Sequence, residues 1–184
     1  MNIQNDNSEA VNRFYLVAQH FCSLVDSADT VDKTEFSVRI YRALPELIGE
    51  AMRLPREELS DDDEVDEDVD AYVYKVYPQA RVTHEEWSRL FNTLKEKLGD
   101  WNSYWQVFDP TEDEDKEAIY GSLADDIAGV YGDLKEGINL KDGGEAAPED
   151  IIFKRRLGFY THWGKHAIDA LRTIHFRVEE TLTE

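Results

Sequence analysis

The sequence predicts an all-α fold: a single-domain helical bundle of about five to six helices, with a long C-terminal helix and acidic loops. Three observations predict it. Apolar residues recur at spacings of three and four through most of the chain, as in Val11, Phe14, Tyr15, Ala18, Phe21, Cys22 and Val25. Capping residues stand where those runs begin and glycines where they end. The length, 184 residues, suits one core and is short for two ordinary domains. The expected organisation is therefore one helical domain over 1–184, interrupted by an acidic mobile loop at 56–71 and a second acidic loop at 111–116.

The first helix is expected at about 8–27, opened by Ser8. Asp32 with Glu35 is a capping-box pattern that opens a second helix through Phe36, Ile40 and Leu44. Pro45 has no N–H to give the preceding turn and should kink or restart that helix. Ten acidic residues then crowd into 57–70, where self-repulsion and the lack of apolar side chains disfavour packing. Tyr72, Val73, Tyr74, Val76 and Tyr77 have strand-like composition and read as an extended segment laid over the bundle. Thr83 with Glu86 caps a helix through Trp87, Leu90, Phe91, Leu94 and Leu98, stopped by Gly99.

Trp101, Tyr104, Trp105 and Phe108 read as a brief helical turn plugging the core. A helix at about 117–140 follows, with Ile119, Tyr120, Leu123, Ile127, Val130, Leu134 and Ile138 on one face. The turn at Gly143 and Gly144 and the start signal of Pro148 lead into the last helix. Its expected apolar stripe is Phe153, Tyr160, Trp163, Ala167, Leu171, Ile174 and Val178.

Forty acidic against 20 basic side chains give a formal charge of −20, so direct nucleic-acid binding and docking on an anionic membrane are not expected. No apolar run reaches the ~18 residues that span a bilayer, and the polar start lacks a leader pattern, which predicts a cytoplasmic protein. The lone cysteine, Cys22, excludes an intrachain disulfide and reads as a buried thiol. There is no Gly-rich phosphate loop, nucleophile elbow or HExxH pattern.

The polar residues that stand out lie on the last two helices. Asp126 and Asp133 share one flank of their helix, about two turns or roughly 10 Å apart, whereas Asp125 points away from it. Arg156 falls within the expected apolar stripe, where an unpaired guanidinium would be costly. An antiparallel hairpin about Gly143 predicts an Arg156–Asp133 ion pair, with Asp126 meeting His162 or His166. The candidate polar cluster is Asp126, Tyr131, Asp133, Arg156, His162, Trp163, His166 and Arg172. His162, His166 and Asp169, at i, i+4 and i+7, have spacing compatible with a divalent metal, but two histidines four apart are common on amphipathic helices. No cofactor and no metal are expected, with that trio as the alternative.

The strings FDP (108–110), GSLADDIA (121–128), YGDLKEG (131–137) and FYTHWGKHAIDALRTIH (159–175) resemble a bacterial family known only as domain of unknown function 5063. The resemblance implies an all-helical fold from the first helix to near the C-terminus. It covers Asp125, Asp126, Tyr131, Asp133, Lys135, Arg156, His162, Trp163, Gly164, His166, Arg172 and His175. Gly129 and Gly132 depart from the family pattern, and no catalytic residue comes with the resemblance. Function then rests on chemistry. The preferred reading is an adaptor or protein-interaction module that meets a protein partner or self-associates, brought together by the opposition of acidic 57–70 and cationic 154–177. The alternative is a small-ligand-binding or metal-dependent enzyme with its polar site between the last two helices. A DNA mimic fits less well, because the carboxylates are bunched in loops.

Overall fold

The computed structural model describes residues 3–55, 77–107, 111, 117–144, 156 and 158–183. Among them are five α-helices: α1 (Ile3–Asp26), α2 (Lys33–Met52), α3 (His84–Leu98), α4 (Leu123–Gly143) and α5 (Gly164–Thr183). Two short strands, β1 (Ser103–Val107) and β2 (Ala118–Ser122), separate α3 from α4. The acidic stretches at 56–71 and 112–116, the 72–76 segment, Phe108, Pro148 and Phe153 lie outside the described residues.

Local chemistry sets the helix ends. The Asp32 carboxylate accepts the Glu35 N–H at the start of α2. Thr83 and Glu86 exchange side-chain and backbone hydrogen bonds in a full capping box at the start of α3. Gly99, with φ of 54°, ends α3 in a conformation that a Cβ would strain. Helix α4 is the hub of the packing, lying against α1, α3 and α5, while α2 closes the bundle against α1 and α5. Phe21, Ile40, Leu47, Leu94, Ile127 and Ile174 are fully buried in one core. Cys22 is buried there too. No helix among the described residues is long and apolar enough to cross a membrane.

Several expectations are corrected. Helix α2 runs unbroken through Pro45, because Leu44 and Leu47 on either side are both fully buried and this packing offsets the lost hydrogen bond. The residues after Trp101 form a strand, and Ala118–Ser122, expected to be helical, pairs with it antiparallel from Ser103↔Ser122 to Val107↔Ala118. Only Gly99–Trp101 makes the short helical turn. Alternation explains the change: Tyr104 turns inward while Trp105 and Tyr120 face outward, 61% and 67% exposed. Ser122 then caps α4 by accepting the Asp125 N–H.

A π-turn, Phe159–Trp163, leads into α5. Its wider winding advances less per residue than an α-helix, so the expected stripe shifts by one position. Phe159 is buried and Tyr160 exposed, while Trp163, Ala167, Ile174 and Val178 remain inside. Gly164 closes this turn by donating its N–H to the Phe159 carbonyl. A Cβ on Gly164 would stand 2.0 Å from that carbonyl oxygen, whereas one on Gly132 would meet only Trp87, at 3.8 Å. Urea denaturation should therefore show Gly164→Ala losing about 1–3 kcal/mol from overpacking. Gly132→Ala should instead be neutral or gain up to about 1 kcal/mol from helix propensity. Equal effects of the two changes would refute this account of the π-turn.

Candidate functional site: a histidine–carboxylate seam

The polar seam is built by α4, α5 and the strand β1. Asp126 enters it from the first turn of α4 and is only 4% exposed. A carboxylate at that depth needs donors on both oxygens. Tyr104 of β1 supplies one, its hydroxyl donating to Oδ2 at 2.6 Å. His166 of α5 supplies the other, its Nδ1 lying 2.8 Å from Oδ1. One turn earlier, His162 Nδ1 meets Asp133 Oδ2 at 2.6 Å, and the two imidazoles stand edge to face with centroids 5.1 Å apart.

Each element is shaped for this contact. Gly121 lies across the ladder from Tyr104, and a Cβ there would be 2.3 Å from the tyrosine ring. The ring therefore crosses the β2 backbone to reach Asp126. At Gly129 a Cβ would merely touch the His166 ring, at an ordinary contact distance of 3.4 Å. The side-chain amide of Gln106, oriented with its nitrogen toward Asp169, donates to both carboxylate oxygens at 2.9 and 3.2 Å.

The seam differs from the expected register. Asp133 meets His162 instead of Arg156, because the π-turn shifts the phase of the last helix and the guanidinium has another partner. Arg156 Nη1 donates to the Leu54 carbonyl at 2.7 Å and its guanidinium lies over the Tyr160 ring. Leu54 follows the end of α2, where carbonyls lack helical partners and a cation is favoured. Asp125, expected to point away, is half-buried, and its carboxylate comes within 4.8 Å of the Asp126 and His166 donor atoms. Among the described residues, that trio is the set close enough to surround a cation, and His162, His166 and Asp169 are not.

Asp126, Asp133, His162 and His166 thus come together. The other four candidates do not join them. Trp163 is 1% exposed and packs edge-on against Phe159, a core role. Tyr131 faces the opposite side of α4, where its hydroxyl donates to Asp26. Arg172 is exposed and lines a groove of about 300 Å³ with Tyr104, Trp105, Asp169 and Phe176. Tyr104 and Gln106 escaped the sequence reading, since both sit on a strand that was expected to be a helical turn. The one signal for Tyr104 was Gly121, the gap in β2 that its ring fills.

Electrostatics follow from depth. Burial pushes the Asp126 carboxyl up, against the lowering effect of its bonds from His166 and Tyr104. The bond to Asp126 raises His166 above the ordinary imidazole value, against desolvation. Burial and the neighbouring Asp126 likewise raise Asp169, and burial beside Asp126 raises the Tyr104 hydroxyl. With Nδ1 committed to Asp126, His166 is an oriented imidazole of the kind that exchanges protons through Nε2.

A model of the family described as Domain of unknown function (DUF5063) matches residues 5–179. The chain belongs to that family. Its fold is similar to the crystal structure of protein BF1032 from Bacteroides fragilis, with a TM-score of 0.68 and 23% identity over 90% of each chain. At that identity the likeness concerns the fold. No curated protein matches the sequence. The family match and the helical architecture agree with the resemblance seen in the sequence, while the roles of the seam residues rest on their chemistry.

The raised His166 value has a consequence for stability. Its contribution is complete below the unfolded imidazole value of 6.5 and is lost as pH rises through the higher folded value. Asp126, also raised, acts in the same direction at lower pH. Unfolding free energy measured from about pH 5.5 to 9 should fall more steeply for the native protein than for His166→Gln, which keeps a donor but does not titrate. Parallel curves would show that the His166 proton contributes nothing.

Proposed function

We propose that this protein is a cytoplasmic interaction module that docks a partner protein on the face formed by the β-hairpin and the outer side of α5. The observation that carries this reading is the gathering of exposed aromatics there. Trp105 and Tyr120 pack against each other across the strands, their rings tilted with centroids 4.1 Å apart, and Phe176 is 65% exposed on the rim of the same groove. Large aromatic side chains left in water on one face are what interface hot spots are made of.

The groove also selects for charge. Arg172 and Arg177 line it, in a chain whose net charge is −20. Arg177 is anchored by donating to the Ser103 carbonyl, which ties α5 to the hairpin. A fitting partner segment carries an apolar side chain for the Trp105–Phe176 groove beside carboxylates for the arginines. Attraction of that kind is salt-sensitive in rate. A second reading, small-ligand or metal-dependent chemistry at the seam, is supported by the oriented His166 and by the grouping of Asp125 with Asp126.

A Trp105→Ala/Phe176→Ala double variant should lower partner capture by about tenfold or more, as loss of two aromatic anchors does. Raising the salt should weaken capture by the native protein, and Leu16→Ala, at an exposed apolar position on α1, should leave it intact. Salt-independent monomeric scattering together with no partner in a crosslinked pull-down would sink the interaction reading. Turnover abolished by His166→Gln would instead favour the seam.

A further inference from the structure

On the side of α4 away from the seam lies a cleft of about 420 Å³, within the range of small-molecule sites. Its walls come from the end of α1 and the turn after it, from the segment 77–82, and from α3 and α4. In a chain with twice as many acidic as basic side chains, the cleft is lined by Arg81, Arg89 and Lys135 as well as by Asp26, Asp29 and Glu86. The signs are only partly segregated, since Glu86 shares its helix with Arg89. Asp26 and Asp29 belong to the α1 corner, whereas all three cations come from the other walls.

Most of these charges are already engaged. Asp26 accepts the Tyr131 hydroxyl at 2.8 Å, and Glu86 is held in the capping box by the Thr83 N–H and hydroxyl. Arg89 pairs with Glu85. Lys135 has no carboxylate within ion-pair distance among the described residues, and its ammonium lies 6.0 Å from the centre of the Tyr131 ring. Asp29 likewise forms no ion pair among the described residues.

The wall is also held in place at some energetic cost. Glu136, 5% exposed, accepts the Val82 N–H at 3.1 Å, and Asn139 donates to the Ala80 carbonyl at 3.1 Å. A buried carboxylate is costly, and this one fixes the 77–82 segment against α4. Arg81 is engaged as well, so among the described residues the cleft offers Lys135 and Asp29 as charges without an ion-pair partner, with the Tyr131 ring beside the cation.

We propose that this cleft binds a small zwitterionic ligand of the α-amino-acid class, its carboxylate on Lys135 and its ammonium toward Asp29, with the side chain against Tyr131. The pairing of one unmatched charge of each sign in one cleft selects such a ligand over a simple anion or cation, each of which leaves one protein charge unmatched.

The test is a thermal-shift screen of the intact protein against the common free L-amino acids, followed by calorimetry on those that raise Tm. At least one should raise Tm in a concentration-dependent way. Its N-acetyl and its carboxamide derivatives, each lacking one charge, should bind the native protein at least about tenfold more weakly, the loss expected when a charged partner is left unpaired. Lys135→Met and Asp29→Asn should weaken binding similarly while leaving the ligand-free Tm unchanged. No shift with any free amino acid, or equal binding of the derivatives, would overturn the proposal. The derivative comparison uses the native protein, so it decides the matter even if a variant fails to fold.

Discussion

The carboxylate of Asp126 is the contact on which the arrangement of the C-terminal half depends. It is almost wholly buried, so bulk solvent cannot reach most of it and the protein must supply its hydrogen bonds. One donor comes from a strand, Tyr104, and the other from the last helix, His166. That single group therefore ties the hairpin, α4 and α5 to one another. Gly121 follows from the same requirement, because it vacates the space that the Tyr104 ring occupies.

The π-turn works in concert with this knot. Without it, a continuous helix would present Tyr160 to the core; with it, Phe159 and Trp163 are buried and His162 and His166 face α4. Gly164 makes the turn possible, as its α-carbon lies against the Phe159 carbonyl where no side chain fits. Single π-turns inside helices recur at functional sites, and here the turn sets which polar residues meet. Arg156, which meets no carboxylate among the described residues, caps the end of α2 through the Leu54 carbonyl and so joins the N- and C-terminal halves.

Once Tyr104 turns inward, its neighbour Trp105 must turn outward, since successive strand residues face opposite sides. The exposed aromatic face and the polar seam are thus two sides of one strand. Helix α4 divides the molecule in the same way, offering Asp126 and Asp133 to the seam and Tyr131 and Lys135 to the cleft. Two surfaces of different chemistry are held by one central helix.

Much of the helical frame was legible in the residues alone. Period-3.6 burial along Phe14, Phe21 and Val25, the Thr83–Glu86 capping box and the stop at Gly99 are local signals, carried by residues within a turn or two of one another. The hairpin was not legible, because its strands are five residues each and owe their pairing to partners more than ten residues away. The candidate site was legible as a set of residues, Asp126, Asp133, His162 and His166, and in the expected meeting of Asp126 with one of the two histidines, which is His166, but not in its other bonds. By itself the sequence determined the charge balance, the family, the helices and their caps, all of which depend on composition or on neighbouring residues. Only the tertiary structure decided that Asp126 takes Tyr104 and His166, that Asp133 takes His162 and that Arg156 takes a helix end, because a wider turn at Phe159–Trp163 and a strand at Ser103–Val107 reset the register, and both are stabilised by packing against distant parts of the chain.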